Sequence, residues 1–346
     1  MKHVIFYSGG LGSWATANRV IEKHGIANIH LLFTDTFIED KDLYRFLIET
    51  TQKMFGIDQS DLLALVDLIP PVSHHTMELR KDFLKWLAEL TTKRNPHFHW
   101  ISDGREPWET FKDARFIGNS RIAPCSHHLK QQSAKHWIFD NFGPEDTTLY
   151  LGIDCSETHR TLAPAKNWEP FKMGYPLVET DTNKDAVFQE LAETDIELPN
   201  LYKQGFSHNN CGGACVRGGQ AHFLNLLKTN RDLYIYHEEK EQAMREYLDK
   251  DVAILRRTRN KVKTPLTLRS LRLENETDTA LNQFKSKPPS TVRVFDAGVG
   301  KNRILKLTED KTRYITGNVG TSNRRVFHYW SFENAFKAQV KKEVVL

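Results

Sequence analysis

The chain has 346 residues, 39% hydrophobic and 27% charged, a balance that excludes a disordered polymer and suits a globular protein of one large domain or of a domain plus an appendage. No apolar run approaches the roughly 20 residues of a membrane-spanning helix, the first apolar segment is too short for a secretory signal, and four cysteines cannot frame a disulfide-stapled fold, so the expectation is a cytoplasmic protein without a membrane partner. The net charge of +4 is uneven: Thr291–Leu346 carries eleven Lys and Arg against five Asp and Glu, which points to an anionic partner for the tail.

In chain order, Val4–Tyr7 reads as a buried strand and Trp14–Lys23 as a helix, with a glycine-rich turn between them. Ile29–Thr34 reads as a second buried strand, and Asp40–Phe55 as a helix with Leu43, Phe46 and Leu47 on one face. LLALVDLIPP suggests a third strand, followed by helices over Met77–Thr91 and Ser126–Phe139 and a strand over Thr147–Asp154. Alternation at this spacing implies an α/β fold, a parallel sheet with helices on both faces, whose ligands lie at the carboxyl ends of the strands. Gln220–Arg256 reads as almost wholly helical, Leu281–Thr291 as a linker, and the segments VRVF, NRILKL, TRYITGNV and RRVFHYW as a small β-rich module closed by a helix over Glu333–Lys342. The expected division is 1–245 for the α/β domain, 246–284 for a helical extension and linker, and 285–346 for the basic module.

The turn SGGLGS combines Ser8, Gly9, Gly10, Gly12 and Ser13 between a strand and a helix. Glycines let backbone N–H groups approach an anion, serines add hydroxyls, and the helix N-terminus adds positive charge. The turn lacks the GxxxxGK of a Walker loop and the GxGxxG of a dinucleotide fold, and GVGK at Gly298–Lys301 fails the same tests. SGGLGS resembles the SGGxDS loop of the PP-loop ATP pyrophosphatases, in the branch that includes phosphoadenosine phosphosulfate (PAPS) reductase and sulfur-transfer enzymes of nucleic-acid modification. Further matches follow in the same order: FTDT with Glu39 and Asp40, RIAPCSHHLK, LGIDCSETHR, YPLVE, LPNLYKQGF, NNCGGAC and TPLTLRSLR, so that the resemblance spans about Met1–Arg272.

The resemblance implies an adenine nucleotide alpha hydrolase-like fold and an ATP-dependent enzyme, forming AMP and pyrophosphate, that adenylates a substrate for sulfur or amine transfer. ATP and Mg²⁺ are the implied ligands. Ser8, Gly9, Gly10, Gly12 and Ser13 would hold pyrophosphate; Asp35 and Thr36 would meet the adenosine side or a metal; Ser13, Lys130, Glu157 and Arg160 would serve catalysis. Gly12 departs from the family's aspartate, and a non-catalytic adenine-nucleotide-binding module is the alternative it favours. A reductase of activated sulfate is a second alternative, but no cysteine follows Cys215 to act as its nucleophile. Cys125, Cys211 and Cys215 have the chemistry for an iron–sulfur cluster, or for zinc with His208, and equally for reduced thiols lining a substrate pocket. Cys155 reads as packed or peripheral. Arg324, Arg325, Tyr329 and Trp330 interleave guanidinium groups with rings, a combination suited to DNA or RNA.

Overall fold

A computed structural model of the chain describes residues 1–296, 301–319 and 325–343. Those residues divide into two compact units, Met1–Arg269 and Ser270–Leu346. The first contains a five-stranded sheet built from β1 (Lys2–Phe6), β2 (Ile29–Asp35), β3 (Phe98–Ser102), β4 (Thr147–Tyr150) and β5 (Lys172–Gly174). Its order is β3-β2-β1-β4-β5 and every pairing is parallel.

Side-chain alternation along these strands feeds two cores. Ile5, Leu31 and Phe33 pack with α1 (Leu11–His24), α2 (Lys41–Phe55), α3 (Ser60–Val66) and α4 (Met77–Arg94). Val4, Leu32 and Leu149 face the other way, onto Ala134 and Ile138 of a helix over Ser133–Asn141 and onto Trp168 and Phe171. The expected α/β sheet covered on both faces is therefore present. The expected third strand is not: LLALV is helical in α3, where Leu62 and Val66, four residues apart, share the buried face. Its place beside β2 is taken by FHWIS in β3, whose histidine interrupts any apolar run.

The region expected to be helical through Arg256 ends at Leu248, after helices Gln220–Thr229 and Arg231–Leu248. An antiparallel hairpin follows, β6 (Leu255–Arg259) and β7 (Val262–Leu266), and the start of the expected linker lies in a helix, Leu268–Ser286.

The second unit carries the expected small β module. β8 (Thr291–Asp296), β9 (Lys301–Leu307), β10 (Tyr314–Val319) and β11 (Arg325–Trp330) form an antiparallel sheet in the order β11-β10-β9-β8, with a helix over Phe332–Glu343. Its core joins Val292, Val294, Leu305, Tyr314 and Ala335, and Trp330 packs against it rather than standing free for stacking. Tyr329 is exposed, with the Arg313 guanidinium 4.2 Å from its ring centre. Arg324 and residues 298–300 lie outside the described residues, and Arg325 opens β11.

β1 lies at the point where strand order changes direction, with β2 on one side and β4 on the other, which is where open parallel sheets form their ligand crevice. The segments after β1 and β4 meet backbone to backbone there: a Cβ on Gly152 would stand 2.5 Å from the Gly12 carbonyl, and one on Gly12 would stand 3.0 Å from Gly152 O. A Gly152→Ala substitution should therefore destabilise the protein by about 3 kcal/mol, as overpacking against rigid backbone does, readable as a lower urea midpoint.

Candidate functional site

The glycine turn links β1 to α1 with Gly10 as N-cap, in extended conformation and without a side-chain capping bond. The turn is held from outside by Asn209, whose buried Nδ2 donates to Gly9 O at 2.9 Å, and by Tyr202, whose hydroxyl accepts from Leu11 N at 3.3 Å. Ser8 is exposed, and its hydroxyl donates to Ser13 Oγ at 3.4 Å. Ser13, expected to touch the nucleotide, is buried and donates its hydroxyl to Gly10 O at 2.8 Å, so it braces the turn.

Asp35 ends β2, and its side chain points inward. Its carboxylate accepts from Phe37 N (2.8 Å) and Tyr44 Oη (2.9 Å) on one oxygen and from Trp100 Nε1 (3.1 Å) on the other. It is wholly buried, which pushes its pKa up to about 6 against the donated hydrogen bonds. These hydrogen bonds order the loop that follows β2. Thr36 is likewise buried and donates to Glu39 Oε1 at 3.0 Å.

Glu39 is the centre of the site. Lys130 Nζ lies 3.2 Å from Oε1, and Cys211 N donates to Oε2 across a very short bond. Cys211 and the next two residues have left-handed φ of 57°, 55° and 84°, and a Cβ on Gly212 would come within 2.6 Å of Ile38 O. Only glycine permits this turn to dock on the loop after β2. Lys130 lies on a π-helical segment, Ser126–Gln132, directly after Cys125; such segments are frequent at functional sites.

Three of the four cysteines share one electrostatic neighbourhood. The Cys211 and Cys215 thiols act on one another, and the His208 ring acts on Cys215 as well. The Cys211 thiol pulls Cys215 well below the ordinary thiol range despite burial, while Cys215 and burial together hold Cys211 above it. Burial pushes Cys125 up to about 11, against the pull of Lys130. Burial alone would lower Lys130; Glu39 and the neighbouring thiols outweigh it and keep the ammonium charged. The two thiols therefore titrate as a pair, with loss of the first proton made easy and loss of the second made hard. Cys155 stands apart and interacts with Asp181.

Glu157, half-buried, and Arg160, exposed, follow β4 in the segment Cys155–Thr161 and pair with one another at 2.5 Å. They sit at the rim but are not joined to the Glu39 network by any contact among the described residues. Arg80 is the residue that motif reading missed. Its buried guanidinium donates to Phe37 O, Glu39 O and Pro70 O, each at 2.6 Å, and so shapes the loop beneath Glu39. The signal was present: Arg80 falls on the helical face of Met77, Leu84 and Leu87, where a cation needs internal partners.

Two outcomes follow. The folded protein holds the Asp35 proton more tightly than an unfolded chain with a value of 3.8, so Asp35's contribution to stability is intact below about pH 4 and is lost as pH rises through 6. Urea unfolding of Asp35→Asn should move in the variant's favour, relative to wild type, by up to about 3 kcal/mol between pH 4 and 7. Iodoacetamide at neutral pH should label Cys215 before Cys211 and Cys125, and His208→Gln should raise the pH midpoint of Cys215 labelling by about one unit, as peptide mass mapping would read. No known family model matches this chain, and no curated protein matches it.

Proposed function

We propose that the chain is an ATP-dependent enzyme of the PAPS reductase-like group that adenylates an acceptor and completes the transfer with sulfur or amine chemistry. The observation that carries this reading is the glycine turn on the central strand of a parallel sheet ordered β3-β2-β1-β4-β5, at its switch point, beside a thiol pair with one ionised member. The adenine nucleotide alpha hydrolase-like fold belongs to the same proposal.

ATP, held with its pyrophosphate at the N-terminus of α1, supplies the adenylyl group, and cleavage between the α and β phosphates leaves AMP on an acceptor oxygen. The turn orients the phosphates through backbone N–H groups and the Ser8 hydroxyl. Lys130 keeps a positive charge beside the sulfurs and stabilises the Cys215 thiolate, the nucleophile that the site offers. An external amine or sulfur donor then forms the C–N or C–S bond as the C–O bond to AMP breaks and AMP leaves, directly on the adenylate or, at an acyl acceptor, on a Cys215 thioester whose C–S bond breaks to return the thiolate.

The residues fit a metal less well than they fit a nucleotide. Among the described residues no group of three or more His, Cys, Asp or Glu side chains is disposed to hold a metal ion. The thiols of Cys211 and Cys215 are engaged with one another, and both oxygens of Asp35 and of Glu39 are occupied by protein donors. In this reading the cysteines act as thiols. Gly12, which removes a carboxylate from the loop, favours the second reading, a module that binds adenine nucleotide without turnover.

Gly10→Asp separates phosphate binding from folding. Aspartate is a good N-cap and its Cβ would meet only Tyr202 Oη at 3.5 Å and Ser8 Oγ at 3.6 Å, while its charge opposes a phosphate. ATP affinity by calorimetry should fall about tenfold or more with the melting temperature maintained. AMP and pyrophosphate release with Mg²⁺ and an acceptor distinguishes the enzyme; tight ATP binding with no AMP under any acceptor leaves the binding module.

A further inference from the structure

The β6–β7 hairpin plays no part in the site above, yet it is the most basic short stretch of the first unit. Residues 256–263 read RRTRNKVK, five cations without an acid. Asn260 and Lys261, both at positive φ, make its two-residue turn. Pairing of Arg256 with Pro265 and of Thr258 with Lys263 puts Arg256, Thr258 and Lys263 on one face.

That face walls a cleft of about 290 Å³, closed on its other sides by Arg121 and by Gly218 and Gly219, the residues before helix Gln220–Thr229. Arg121 also lines a neighbouring cleft of about 470 Å³, together with Phe116, His127, His128 and Arg217. No carboxylate lines either cleft. Among the described residues, none of Arg121, Arg217, Arg256 and Lys263 is paired with an acid. Arg121 is common to both clefts, which together present Arg256, Lys263, Arg121 and Arg217 as a cationic track on the loop that carries Cys125, the loop that follows Cys215 and the hairpin.

We infer that this track binds a single strand of nucleic acid, with phosphates along Arg256, Lys263, Arg121 and Arg217 and a base against Phe116. One phosphate needs far fewer cations than the track supplies, whereas a phosphodiester chain neutralises them in series. Clefts of these volumes admit nucleotides but not a duplex, and their concavity is unsuited to a flat anionic membrane. Phe116 and the imidazoles offer faces for stacking, the usual complement to a basic groove. The inference leans on the proposed function only in what it adds to it: the strand would be the acceptor led to the thiols. Binding itself does not depend on ATP turnover.

Fluorescence anisotropy on the full chain tests it, with oligothymidylate and oligouridylate of about 20 nucleotides, a matching duplex, and phosphatidylserine vesicles as probes. Either single strand should bind more tightly than the duplex, and comparing the two identifies DNA or RNA as its source. Arg256→Glu with Lys263→Glu should weaken binding about tenfold or more and lower the slope of log Kd against log salt by about two. The milder Arg256→Gln with Lys263→Gln should move both in the same direction at an unchanged melting temperature. Lys306→Glu with Arg313→Glu, in the second unit, should leave binding as it is. Hairpin variants that bind like wild type, loss confined to the second-unit pair, or preference for duplex or vesicles would each overturn the inference. ATP binding measured on the same samples keeps the two readings separable, since either can fail alone.

Discussion

The buried carboxylate of Glu39 joins three segments distant in sequence: its own loop after β2, the π-helical segment with Lys130, and the turn that begins at Cys211. A carboxylate removed from water costs several kcal/mol unless its oxygens are met by donors, and here a hydroxyl, an ammonium and a backbone N–H meet them. Taking away one partner would leave an uncompensated charge, so the three segments are tied to a common geometry. Lys130 feels Glu39 and the sulfurs together, so the arrangement that holds the fold also keeps a cation beside the thiol pair.

A second constraint acts at the sheet's switch point. The first turn of α1 and the segment after β4 approach so closely that a side chain on Gly152 would displace backbone and one on Gly12 would press tightly on the Gly152 carbonyl. The absent carboxylate at position 12 thus has a packing explanation as well as a chemical consequence. The turn opens α1 without a side-chain cap and brings no acid of its own. The oxygens of Asp35 and Glu39, the acids that follow, serve Tyr44, Trp100, Lys130 and backbone donors.

The first two strands, α1, α2 and the long α4 were legible because each repeats its apolar pattern locally. LLALV was misread because a seven-residue apolar helix and a short buried strand look alike by composition. β3 escaped notice since its pattern includes His99, and the β6–β7 hairpin since its charges resemble a solvated helical face. In the site, the glycine turn, Lys130, Cys211 and Cys215 were found by motif. Arg80, Asn209 and Tyr202 carry no motif, and their importance lies in the carbonyls and N–H groups they reach.

By itself the sequence determined the class of fold, the glycine-rich turn between the first strand and helix, the small basic β module and the set of residues with sulfur chemistry, since periodicity, glycine content and residue type are local properties. Tertiary structure decided which acids face a ligand and which are consumed by the core. It also decided which cysteine ionises and where unpaired cations gather into a track. Those outcomes depend on burial and on partners brought together from far along the chain. Asp35 and Glu39 are both acids after the same strand, and only their neighbours make one a core anchor and the other the hub of the site.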